Sequence, residues 1–125
     1  MRSVAHRPGQ RVTVGVDTHK DTHVAVALDQ IGGRLAEVRI TADTAGYQRL
    51  ESWALNIAPR AVFGVEGCGS YGAGLASYLR RRGHRVVEVN RPDRQARHRS
   101  GKNDTLDAEQ AARAVLAGAA TAEVR

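Results

Sequence analysis

GVDTHKDTHVAVALD, residues 15–29, sets an acid at the end of one apolar run and opens a second run only a few residues later. Asp17 closes VTVGVD (12–17), which reads as a buried strand, and THVAVALD (22–29) reads as a second strand with partial alternation. The DTHK between them admits two readings. One is a tight turn of ordinary solvated residues; the other is a site placed where a strand leaves its sheet. The rest of the chain decides.

Working outward, QIGG (30–33) is a hairpin turn and RLAEVRI (34–40) alternates as a third strand. The period then changes. From Thr44 the apolar residues Ala45, Leu50, Trp53, Ala54 and Ile57 recur at helical spacing, with Trp53 assigned to the core, until Pro59 stops the helix. AVFGVE (61–66) predicts a fourth strand, YGAGLASYLRRR (71–82) a helix closed by Gly83, and RVVEVN (85–90) a fifth strand. Residues 92–99 are expected to form a short helix, and TLDAEQAARAVLAG (105–118) an alanine-rich one. Residues 1–11 are expected as a flexible arm, 12–118 as the domain and 119–125 as a tail.

The order β-β-β-α-β-α-β-α predicts a mixed five-stranded α/β sheet, antiparallel at the meander edge and parallel elsewhere, with flanking helices. Right-handed crossovers put the fourth strand beside the first and parallel to it. That is the plan of the ribonuclease H-like (RuvC-like) fold. It brings together the carboxyl ends of strands 1 and 4, which carry Asp17 and Glu66.

Two carboxylates at adjacent strand ends suit a hard divalent cation, which prefers oxygen ligands. KNDTLDAE (102–109) supplies two more: Asp104 and Asp107, three apart, share one side of a helix at its opening. Acids in a first turn also complement the helix dipole or cap its free amides. Joined to Asp17 and Glu66, however, they make four carboxylates, enough to hold two Mg2+ (or Mn2+) ions for phosphodiester chemistry.

Composition bounds the alternatives. The chain of 125 residues fits one domain, and its 42% hydrophobic content excludes a disordered tail. No apolar run approaches the roughly 20 residues of a membrane helix. A single cysteine, Cys68, permits no internal disulfide and points to a reducing, cytoplasmic setting. It reads as a small packed residue rather than a nucleophile. The net charge of +6 points to polyanions. Arg80, Arg81, Arg82, Arg85, Arg91, Arg94, Arg97, Arg99 and Lys102 are opposed only by Glu88 and Asp93. A solvated face is the bland account of such a run. A backbone-phosphate surface is the better one, because so many arginines without interleaved acids repel one another until a polyanion neutralises them. Arg91, Arg94, Arg97, Arg99 and Lys102 are therefore expected to bind nucleic acid. Lys20 is a further candidate against a solvated loop lysine, and Tyr71 either stacks on a nucleotide or packs at a helix start. His19 and His23 span a turn, not a helix face, which argues against a zinc pair.

GVDTHKDTHVAVAL, VEGCGSYGAGLASYL and VNRPDRQARHRSGKNDTLDAEQAARAVLAG, in that order, resemble the N-terminal domain of DEDD transposases of the insertion-sequence 110 type, from about Val12 to Gly118. The resemblance implies a RuvC-like domain in which Asp17 and Glu66 are the first two catalytic, metal-binding acids and Asp104 and Asp107 the last pair. It implies DNA as substrate, an element-encoded guiding RNA in some members, a homo-oligomer when active, and a prokaryotic, nucleoid-associated setting. It also implies a C-terminal domain carrying an attacking serine. The chain ends at Arg125, before any such domain, so it is expected to be a truncated or partial protein that binds DNA without completing transposition.

A rival from another class is a dinucleotide-binding domain using Gly67-x-Gly69-x-x-Gly72 between a strand and a helix. Glu66 before the first glycine would repel a pyrophosphate, Asn90 replaces the ribose-binding acid, and the fingerprint does not open its domain. An actin-like ATPase needs two copies of its fold and a glycine in the DTHK loop, and has neither.

Overall fold

The computed structural model describes residues 11–90 and 103–118. Strands β1 (Val12–Thr18), β2 (Thr22–Leu28) and β3 (Arg34–Thr41) form the meander, followed by α1 (Thr44–Ile57), β4 (Ala61–Glu66), α2 (Ala73–Arg81), β5 (Arg85–Val89) and α3 (Asp104–Gly118). The sheet order is β3-β2-β1-β4-β5. β1 runs antiparallel to β2 and parallel to β4, in the register Asp17↔Val24 and Val16↔Val65. The expected short helix at 92–99 lies outside the described residues. Among the described residues no helix is long and apolar enough to cross a membrane.

β1 is apolar on both faces because it is central and covered on both sides. On one face Val12, Val14 and Val16 pack with Ala25, Phe63 and Val65 under α1 and α2, through Leu50, Leu75 and Leu79. Trp53 is only partly buried, at the edge of this core. On the other face the sheet meets α3: Val24, Val26 and Leu28 pack on Ala108 and Ala112, while Val89 packs on Ala111 and Val115. Two glycines set the spacing there. A Cβ at Gly15 would collide with the Ala108 carbonyl oxygen and the Ala112 amide, and one at Gly64 with Val115 Cγ2. Gly15 and Gly64 are paired in register, so the helix lies directly on bare backbone. The alanines of α3 are the matching half of that contact, since larger side chains would lift the helix away.

Local signals account for the element ends. The Asp43 side chain accepts from the Gly46 amide at 2.9 Å and caps α1, so Gly46 is buried against Thr41 and Ala45 is turned outward, unlike the expected period. Asp29 Oδ1 accepts from the amides of Ile31 and Gly33 and closes the β2–β3 hairpin. Asn103 Oδ1 accepts from the Leu106 amide at 3.0 Å, so it is Asn103, not Asp104, that caps α3.

Candidate functional site

Asp17 leaves β1 on the α3 side of the sheet, on the same face as Gly15. It is 3% exposed, as is Glu66 at the end of β4. The two strand ends are tied by the Thr18 hydroxyl, which donates to the Glu66 carbonyl oxygen at 2.7 Å. α3 arrives over them carrying Asp104 and Asp107 in its first turn. Asn103, not either of these acids, accepts from the Leu106 amide at the start of the helix.

At the centre stands His19, which sequence reasoning considered only as a zinc partner of His23. Its Nε2 lies 2.8 Å from Asp17 Oδ2 and 3.2 Å from Asp104 Oδ1. The Arg39 guanidinium reaches Asp104 Oδ2 at 3.6 Å. Asp17, His19 and Asp104 each offer a donor atom within 4.8 Å of the others. Burial pushes the Asp17 carboxyl up to about 6; His19 opposes that rise, while the negative charges of Asp107 and Glu66 add to it. Of the four predicted carboxylates, Asp17 and Asp104 thus belong to the close donor cluster, while Asp107 and Glu66 act on Asp17 through their charge and are not part of that cluster. The signal for His19 was its place two residues after Asp17, at the strand exit; the turn that folds it back over the carboxylate, with its amide donating to the Thr22 carbonyl at 3.0 Å, is tertiary information.

The donor set fits a divalent cation. Acids held this close favour a positive charge between them, and an imidazole nitrogen now lies between two of their oxygens. Oxygen donors suit Mg2+, and the imidazole makes Mn2+ equally acceptable.

His23 points to the opposite face. It is fully buried, stacked on Tyr47 at 6.2 Å between ring centroids, and burial lowers its pKa. The two histidines do not form a metal pair. Lys20 is exposed in the turn beside the site, and Tyr71 is exposed beyond β4. Cys68 is half-buried, donates to the Val65 carbonyl at 3.4 Å and has its thiol pKa raised by burial, as a packed residue should. Arg91, Arg94, Arg97, Arg99 and Lys102 lie outside the described residues.

Gly67, Gly69 and Gly72 form the turn from β4 to α2, with the Ser70 and Gly72 amides donating to the Gly67 carbonyl. Buried Glu66 stands at the foot of that turn and an antiparallel meander occupies one edge of the sheet. Neither feature supports a dinucleotide site.

The class follows from the sheet. Its order and its acid-bearing strand ends are those of a ribonuclease H-like fold. A solved structure of the same plan is the large terminase nuclease from thermophilic phage G20c, at a TM-score of 0.54 and 18% identity; the match covers 85% of this chain and 58% of that one. At that identity the likeness is one of fold. No curated protein sequence matches the chain significantly. The family is decided by sequence: a family model described as a transposase, of the DEDD insertion-sequence 110 type, matches residues 14–125, and the chain belongs to that family.

Proposed function

We propose that this chain is the metal-dependent part of a transposase that acts on DNA phosphodiesters, with Asp17, Glu66, Asp104 and Asp107 holding the metal. The observation that carries the reading is the Asp17 carboxyl. It is buried at a strand end, raised to about 6, shares the His19 imidazole with Asp104, and feels the charges of Asp107 and Glu66. A fold rarely confines that much negative charge without a cation to balance it.

A bound divalent ion, Mg2+ or Mn2+, would supply Lewis-acid activation of the scissile phosphate and its attacking oxygen. The chain's own residues do the rest. Asp17 and Glu66 fix two donors on rigid strand ends, and α3 brings Asp104 and Asp107 over them. His19 hydrogen-bonds Asp17 through Nε2 and lies 3.2 Å from Asp104, so it would have to yield to a cation or join its ligands. Lys20 and the run Arg91, Arg94, Arg97, Arg99 and Lys102 grip backbone phosphates. That run joins the end of β5 to Asn103, so it leads directly into the helix bearing the last two acids. A guiding RNA would meet the same cations by the same chemistry.

Calorimetric titration with Mn2+ and Mg2+ tests the reading. Binding at millimolar concentrations or tighter is expected, with loss of most of it in Asp17→Asn while the fold is retained. No divalent binding, or binding untouched by Asp17→Asn, sinks the assignment. For the basic run, Arg94→Ala with Arg97→Ala should lower the slope of log affinity against log salt by about 2 on unrelated DNA sequences alike.

A further inference from the structure

The carboxylates occupy one end of the sheet. At the other, where β1, β4 and β5 begin, a cavity of about 720 Å3 opens between the entry to β1, the turn at Pro59 and Arg60, and the turn at Gly83 and His84. Arg11, Arg60, Arg82, Arg85 and His84 line it, and among the described residues that line it none is acidic. Arg11 and Arg60 are exposed, and neither enters an ion pair among the described residues.

One acid stands behind the wall. Glu51 on α1 accepts from His84 Nε2 at 2.7 Å, from Arg82 Nε at 3.1 Å and from the Tyr78 hydroxyl at 3.1 Å. Burial disfavours its carboxylate, yet these donors outweigh that and hold its pKa below the ordinary value. Its charge is thus committed to fixing Arg82 and His84 in place. The Arg82 guanidinium also lies 5.8 Å from the Tyr78 ring centroid. Concave spaces lined by one sign of charge focus the field and gather counter-ions.

We infer that this cavity is a second phosphate-binding site, which takes the backbone of a nucleic-acid segment other than the one at the carboxylates. The choice of nucleic acid rests on the transposase reading; the preference for an anion rests on the arginines alone. Val12 and Asp17 are five residues apart along β1, about 17 Å at strand spacing, so a phosphate held in the cavity is several nucleotides away from one held at Asp17. Moving a strand from one DNA molecule to another brings two nucleic-acid segments to the assembly, and the two ends of the sheet offer two grips.

The test uses the full chain in EDTA, so that no metal contributes. A labelled duplex oligonucleotide is titrated across a salt series against wild type and an Arg11→Gln, Arg60→Gln double variant. About tenfold weaker binding and a salt slope lower by about 2 are expected, with both recovered in Arg11→Lys, Arg60→Lys. Affinity and slope equal to wild type overturn the inference. In a second arm inorganic phosphate is titrated and the amide resonances of Gly83 and His84 are followed. If these shift while the double variant keeps the wild-type slope on DNA, the cavity holds free phosphate only and the nucleic-acid assignment falls. Mn2+ binding by the same double variant should match wild type. A double variant weak on DNA beside an Asp17→Asn that still binds Mn2+ would uphold this site and sink the carboxylate reading instead.

Discussion

A single carboxyl carries most of the chemistry that can be read from this molecule. Asp17 is buried among other acids, and its pKa of about 6 lies above the 3.8 of an ordinary aspartate. Between those two values the folded chain holds a proton that the unfolded chain has released, so stability without metal falls as pH rises through this window. The loss is on the order of 3 kcal/mol for a shift of this size. Thermal melts in EDTA at pH 4 and pH 6.5 should show it as a difference between wild type and Asp17→Asn, in which that slope is absent. Mn2+ should reverse the trend, because the ion competes with the proton for the same oxygens. Asp17 was legible in the sequence because an acid ending an apolar strand is a local pattern. His19 was not: its role depends on a turn that carries the ring back to within 2.8 Å of Asp17 and on a helix that brings Asp104 from 85 positions further along. The cap at Asn103 was equally hidden among neighbouring acids of similar capping ability.

Among the elements, α3 has the most demanding placement. It lies on the bare backbone of Gly15 and Gly64, and one methyl group at Gly15 meets main-chain atoms that have no rotamer to escape into. Gly15→Ala should therefore cost about 3 kcal/mol or more, the upper part of the range for overpacking, and lower Tm by about 10 °C. The informative measurement is Mn2+ affinity well below that Tm: a lifted α3 takes Asp104 and Asp107 with it, so metal binding should fall even while circular dichroism reports a folded protein. Wild-type affinity in the variant would show that α3 does not set the site's geometry. The strands of the sheet and the three helices are those that periodicity and turn residues predict, with α2 starting at Ala73 rather than Tyr71 and α3 at Asp104 rather than Thr105. Helix α1 kept its length but not its predicted face, because the Asp43 cap set the phase and put Gly46 inside in place of Ala45. Glu51 fell within that helix as one polar residue among several; its partners Tyr78, Arg82 and His84 come from another helix and a turn, and no pattern within α1 points to them.

On the scale of the whole molecule, the two ends of the sheet carry different charge clusters. Acids gather at the carboxyl ends of β1 and β4, and arginines at the amino ends of β1, β4 and β5. Effects at the two ends should be additive: with Asp17→Asn and the Arg11, Arg60 pair combined, losses of metal affinity and of DNA affinity should equal those of the separate variants, within about 0.5 kcal/mol. A larger departure, measured by calorimetry and anisotropy, would reveal coupling through the sheet. The acid end was legible because the element order alone brings strands 1 and 4 together. The basic end was legible only in part: Arg82 and Arg85 belong to the arginine run read as a phosphate surface, whereas Arg11 and Arg60 come from elsewhere in the chain and join them only when three strand starts align. The placement of α3 has one further consequence, in time rather than space. A chain still emerging from the ribosome can pair β1, β2 and β3, then add β4 and β5, before residues 104–118 exist to cover them. Until then Asp17 and Glu66 face a sheet surface with no helix on it, and the carboxylate set is half made. On the proposed reading, the capacity to cut DNA is withheld from every nascent chain until α3 docks.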